Sequence, residues 1–108
     1  MKVETSELTG AALDWAVAKC EGTAVADVVN GMRGYHYSTN WAQGGPIIER
    51  EKYDITFNQA TTAFAEYWTV TSNDGNNEEC GDTLLIAAMR CYVASKLGDE
   101  IEIPEELK

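Results

Sequence analysis

Apolar positions along this chain follow a helical register near each end and alternate with polar ones between. Leu13, Ala16, Val17 and Cys20 recur at i, i+3, i+4 and i+7, which predicts a helix from about Ser6 to Glu21. Leu8, Ala12 and Trp15 widen its stripe. Thr5, Ser6 or Thr9 can cap its start and Gly22 can stop it, while Gly10 predicts an irregular first turn. A second helix is predicted between Asp82, a good N-cap, and Gly98, a good stop. Leu85, Met89, Tyr92, Val93 and Lys96 keep helical spacing there, and Ala87, Ala88, Cys91 and Ala94 make a small-residue flank suited to close packing. Between the helices a meander is expected. Ile47–Arg50 reads as a short strand, Tyr53, Ile55 and Phe57 alternate with Asp54 and Thr56, and Ala63 to Thr71 reads as extended. Asn73 to Asn77 reads as a turn, and Ile101 and Ile103 alternate with acids as a short edge strand would. Residues 23–34 suit a short helix or a strand equally, and Tyr35 to Pro46 reads as a long loop. The expected fold class is α+β: one domain over residues 1–108, with two main helices on a small, mostly antiparallel sheet.

Charge adds a second pattern. The chain carries 18 acids against 8 Lys and Arg, a formal net charge of −10, yet no Asp or Glu occurs from Val28 to Ile48. The acids concentrate in a loop at 73–82, which has four and no base, and in the tail 98–108, which has five and one Lys. So acidic a surface disfavours direct binding of nucleic acid, because neutralising phosphates needs Lys and Arg. A charged surface of this kind also keeps a small protein in solution, and that ordinary explanation stands beside any functional one. No run of residues approaches the roughly 20 apolar positions needed to span a bilayer, and the first residues lack the order of a secretory signal. A cytoplasmic location is expected, with no membrane partner. Cys20, Cys80 and Cys91 are odd in number and widely spaced, and His36 is the one histidine, so neither a metal site nor another cofactor is expected. Cys20 and Cys91 fall in helical patterns, whereas Cys80 falls in a polar loop. A core this small favours a homo-oligomer, a dimer or higher.

Three blocks together carry a family resemblance: Lys2 to Ala18, Asn40-Trp41-Ala42-Gln43-Gly44-Gly45-Pro46-Ile47-Ile48, and Leu85 to Lys96. The chain resembles the phage NinX-like family of small proteins of tailed phages and prophages, with residues 53–82 the divergent part. The resemblance implies a phage accessory gene product of the host bacterial cytoplasm. It carries no assigned catalytic residues to transfer.

The acid-free segment is the place to look for a ligand. Trp41, Tyr35 and Tyr37 can stack on a flat ring, Asn40 and Gln43 can hydrogen-bond its edge, and the Gly44 and Gly45 amides can approach a phosphate. Trp41 capping the core, with Gly44-Gly45-Pro46 as a structural corner, accounts for the same residues. Arg90, on a mostly buried helix, needs an anion, either a ligand or an internal carboxylate such as Asp14 or Glu49. Arg50 is the other candidate for a phosphate, though a solvated strand face explains it equally, and Arg33 lies between two loop glycines. No nucleophile motif accompanies His36, so an enzyme is not expected. With the phage context that the resemblance implies, the chain's size and pocket-type composition suggest a counter-defence protein that sequesters a nucleotide-like immune signal without cleaving it. The alternative is an acidic inhibitor that mimics nucleic acid and docks on a host defence enzyme.

Overall fold

A computed structural model describes residues 2–22 and 35–104. The segment 23–34, with its helix-or-strand ambiguity and Arg33, lies outside the described residues. The described chain runs β1 (Lys2–Glu4), a 3-10 turn (Thr5–Glu7), α1 (Gly10–Cys20), α2 (Trp41–Glu51), β2 (Asp54–Asn58), β3 (Tyr67–Thr71), β4 (Glu78–Gly81), α3 (Leu84–Leu97) and β5 (Glu100–Glu102). β2, β3 and β4 form an antiparallel sheet in that order, and β1 pairs antiparallel with β5 in a separate ribbon. The α+β class expected from the sequence is the class observed.

α3 is the centre of the molecule. Leu85, Ala87, Ala88, Met89, Cys91, Tyr92, Val93 and Ala94 are all buried, so the helix is apolar nearly all round. The sheet packs on one side of it through β3 and β4, and α1 and α2 pack against it as well. Its alanines leave room for this approach. Thr83, one residue after the expected Asp82, is the N-cap and accepts a 3.1 Å bond from the Ile86 N–H. Gly98 ends the helix at φ 89°, a backbone state that glycine reaches without a Cβ clash. α1 supplies Leu13, Ala16 and Val17 to the same core, and the break at Leu8–Thr9 before it is the irregular start that Gly10 suggested.

The β1–β5 ribbon closes over this core. Ile101 and Ile103 are buried, as their alternation with acids implied. Thr5 is buried at the corner, donating its hydroxyl to the Gly98 carbonyl at 2.6 Å and its N–H to the Asp99 carbonyl at 2.8 Å.

The structure overturns the reading of residues 41–51. They form a helix, not the end of a long loop followed by a strand. The Asn40 side chain caps it by accepting from the Ala42 N–H at 2.8 Å. Gly44, Ile47 and Ile48 turn towards the core at helical spacing, and Gly44 takes a position where an apolar side chain would normally reveal the pattern. A Cβ on Gly44 would stand 2.4 Å from the Tyr37 carbonyl oxygen and 2.7 Å from Leu85 Cδ2, so only glycine lets α2 pack this closely. Pro46 lies inside the helix. It removes the N–H that would bond the Ala42 carbonyl, which belongs to an exposed residue where that loss is tolerable. Residues 73–82, read as an acidic loop, comprise a turn and then strand β4, so Cys80 is exposed on a strand. The extended segment before it is shorter than expected, with β3 starting at Tyr67.

Candidate functional site

The turn before α2 is built on a buried carboxylate. Asp14, on α1, accepts the Ser38 N–H at 2.8 Å and holds Tyr37–Thr39 against the core. From there the chain reverses, and the His36 carbonyl accepts from the Thr39 and Asn40 N–H groups. Trp41, the first residue of α2, therefore emerges at the surface, 56% exposed. Its indole lies over Gly45, where an added Cβ would stand 3.3 Å from the ring.

Beside it is a groove of about 450 Å³, lined by Ser38, Thr39, Trp41, Trp68 and residues 82–86 at the start of α3. The indoles and Leu84, Leu85 and Ile86 make it chiefly apolar. Ser38 is 2% exposed, and among the described residues its hydroxyl oxygen has no hydrogen-bond partner. A buried hydroxyl left unpaired costs about 1–3 kcal/mol. Among the described residues, Asp82 is the one ionisable residue lining the groove. Trp68 also meets Phe57 of the neighbouring strand, with ring centroids 4.9 Å apart.

The residues singled out in the sequence do not converge on this groove. Trp41 lines it. Tyr35 and Tyr37 stack on each other, 6.0 Å between centroids and 9° between planes. Asn40 spends its side-chain oxygen on the helix cap, and Gln43 Oε1 accepts the His36 N–H at 2.7 Å. The Gly44 N–H is bonded to the Asn40 carbonyl at 2.9 Å, and Gly45 sits within the same helix. These two residues are therefore not a phosphate-cradling loop.

The two arginines are elsewhere. Arg50 lies nine residues after Trp41 on the same helix, which puts it about 13 Å along the axis and on the opposite face. It donates to both Glu21 oxygens, at 3.3 and 2.9 Å, to Glu51 at 3.1 Å and to the Tyr92 hydroxyl at 3.0 Å. Tyr92 in turn donates to Glu21. The Arg50 bonds hold the Glu21 carboxyl below its ordinary range against the opposing effect of burial, with the Tyr92 hydroxyl helping. Arg90 does not meet the internal carboxylate that was one expectation for it. It donates to the Leu8 carbonyl at 2.8 Å and to the Cys80 carbonyl at 2.7 Å, and among the described residues no carboxylate lies within ion-pair distance. The groove beside it, about 350 Å³, is lined by Glu78, Glu79 and Asp82 as well, a poor setting for an anion.

Sequence reasoning missed Ser38, Trp68 and the first turn of α3. Ser38 stood inside the acid-free segment, but only the tertiary fold brings Trp68 and Leu84–Ile86 beside Trp41. Among the described residues no three His, Cys, Asp or Glu cluster as a metal site would require, and no helix is long and apolar enough to cross a membrane. Burial pushes the thiols of Cys20 and Cys91 up to about 11 and about 12, which leaves both protonated at neutral pH.

No curated protein matches the chain. Residues 4–96, which span the groove, α1, α2 and all but the last residue of α3, match the family described as bacteriophage P22, NinX, and the chain belongs to that phage protein family.

Proposed function

We propose that this phage protein works by binding, without catalysis, and that the groove between Trp41 and Trp68 holds a small, flat, ring-bearing molecule. The observation that carries this reading is the buried Ser38 hydroxyl, without a partner among the described residues, in the lining of an aromatic groove. A volume of about 450 Å³ suits a ligand of nucleoside size. Apolar walls with a few hydroxyls are the usual composition of such sites. Sequestration of a nucleotide-like immune signal of the host, released unchanged, remains the first class to test. The groove chemistry narrows it. Among the described lining residues no Lys or Arg meets a phosphate, and Asp82 repels one, so recognition falls on the ring.

The test is titration of the protein with adenosine, AMP and a cyclic dinucleotide, followed by tryptophan fluorescence, with native mass spectrometry of the released ligand. The expected result is binding of at least one probe, recovered at unchanged mass. Trp41→Ala is expected to weaken it about 10- to 100-fold, the scale of one lost ring stack. Ser38→Ala weakens binding too, while leaving stability in urea equal to or above wild type, because it removes an orphan hydroxyl. Wild-type affinity in Trp41→Ala overturns the assignment.

A second reading, inhibition of a host defence protein by an acidic surface, draws support from Glu78 and Glu79 on β4 beside the acidic turn. Its signature is an association with the host protein that weakens steeply with added salt and is indifferent to Trp41.

A further inference from the structure

The sheet has two edges, and they are treated differently. β4 carries Glu78 and Glu79, and the Cys80 carbonyl accepts from Arg90. Charge on an edge strand is a standard protection against pairing with another chain. β2, the other edge among the described residues, carries one charge, Asp54 at its start, and none beyond it. Ile55 and Phe57 are 42% and 43% exposed, and Phe64 in the loop that follows is 70% exposed. Residues 55–65 contain no charged side chain at all, in a protein whose net charge is −10.

We infer that β2 is a homodimer interface, through which two copies of this chain join their sheets by antiparallel pairing of β2 with β2. The occupant is a second copy because the strand is complementary to itself. Pairing centred on Thr56 sets Ile55 opposite the second copy's Phe57 and Asp54 opposite the second copy's Asn58. No acid then faces an acid. The two Asp54 side chains stand about 14 Å apart at opposite ends of the pairing, beyond the Debye length at physiological salt. Two strongly acidic protomers need an uncharged place to meet, and among the described edge strands β2 offers the longest uncharged run. Ile55 and Phe57 share a sheet face with their β3 partners Val70 and Trp68, so the apolar contact continues inward to Trp68 and the groove. This inference does not depend on the ligand reading, and either can fail alone.

Sedimentation velocity of the full chain over a concentration series tests it. A dimer is expected, and it tightens as salt is raised, because each protomer repels the other everywhere except at β2. Phe57→Lys puts two desolvated charges into the pairing and is expected to weaken dimerisation about a hundredfold or more. Its far-UV circular dichroism should match wild type, since Phe57 is already half exposed. Asn58 reads the register: Asn58→Lys faces Asp54 across the interface and strengthens the dimer, whereas Asn58→Asp faces it with a like charge and weakens it. Monomeric wild type throughout the series overturns the inference. So does a dimer that neither Phe57→Lys nor the Asn58 pair alters; if Phe57→Lys fails to fold, the Asn58 pair alone decides.

Discussion

Glu21 carries most of the electrostatic detail in this protein. It ends α1, accepts both the guanidinium of Arg50 on α2 and the hydroxyl of Tyr92 on α3, and so ties three helices at one point. Because its carboxyl is held below the ordinary value of 4.5, the stabilisation it supplies is present above that value. It is lost as pH falls through the depressed value. Arg50 is half exposed, so the contribution is modest, and Glu21→Gln is expected to lower stability by about 1 kcal/mol near neutral pH. Urea titrations should show wild type and variant converging as pH falls below 4.5. A difference that persists there would mean the cluster acts through packing and not charge. The opposite sign holds at Glu79, where burial raises the carboxyl although Arg90 pulls it down, so this residue opposes folding at neutral pH.

At the scale of elements, α2 is where local signals and tertiary context disagree most. Gly44-Gly45-Pro46 has the composition of a corner, and each residue costs helix propensity. The helix forms regardless, because Asn40 caps it, Ile47 is buried and Gly44 fits beneath the Tyr37 carbonyl. The two glycines should therefore part company. Gly44→Ala is expected to lose about 1–3 kcal/mol through the clash, despite its better propensity. Gly45→Ala meets only the Trp41 ring, at 3.3 Å, and should stay within about 1 kcal/mol of wild type. Thermal or urea unfolding of both variants decides this. The same contrast explains what was legible beforehand. α1, α3 and β5 could be read because their own buried residues keep the period of their structure. The α2 helix could not, because its contact residue is a glycine, which leaves no hydrophobic mark. The groove was half legible: Trp41 stood out in an acid-free segment, but its counterpart Trp68 comes from a strand 27 residues later, and only the fold of the sheet on α3 joins them. From sequence alone Arg50 reads as a phosphate candidate or a solvated strand residue and Arg90 as needing a ligand or a carboxylate, because their partners Glu21, Tyr92, Leu8 and Cys80 come from distant parts of the chain.

For the molecule as a whole, charge and apolar surface are sorted to different places. Seven acids cluster on residues 74–82 and 99–102, while exposed large apolar side chains gather at Trp41, β2 and Phe64. One consequence of the central position of α3 is kinetic. The sheet and the other two helices pack on that one helix, so neither layer has a surface to condense upon until it is at least partly formed. The folding nucleus is then α3 with β3 and β4, and the β1–β5 ribbon closes later. Ala88→Gly, deep in α3, should slow refolding with little change in the unfolding rate, whereas Ile101→Ala in β5 should mainly accelerate unfolding. Stopped-flow chevrons for the two variants would show whether this small domain has a single place from which its order spreads.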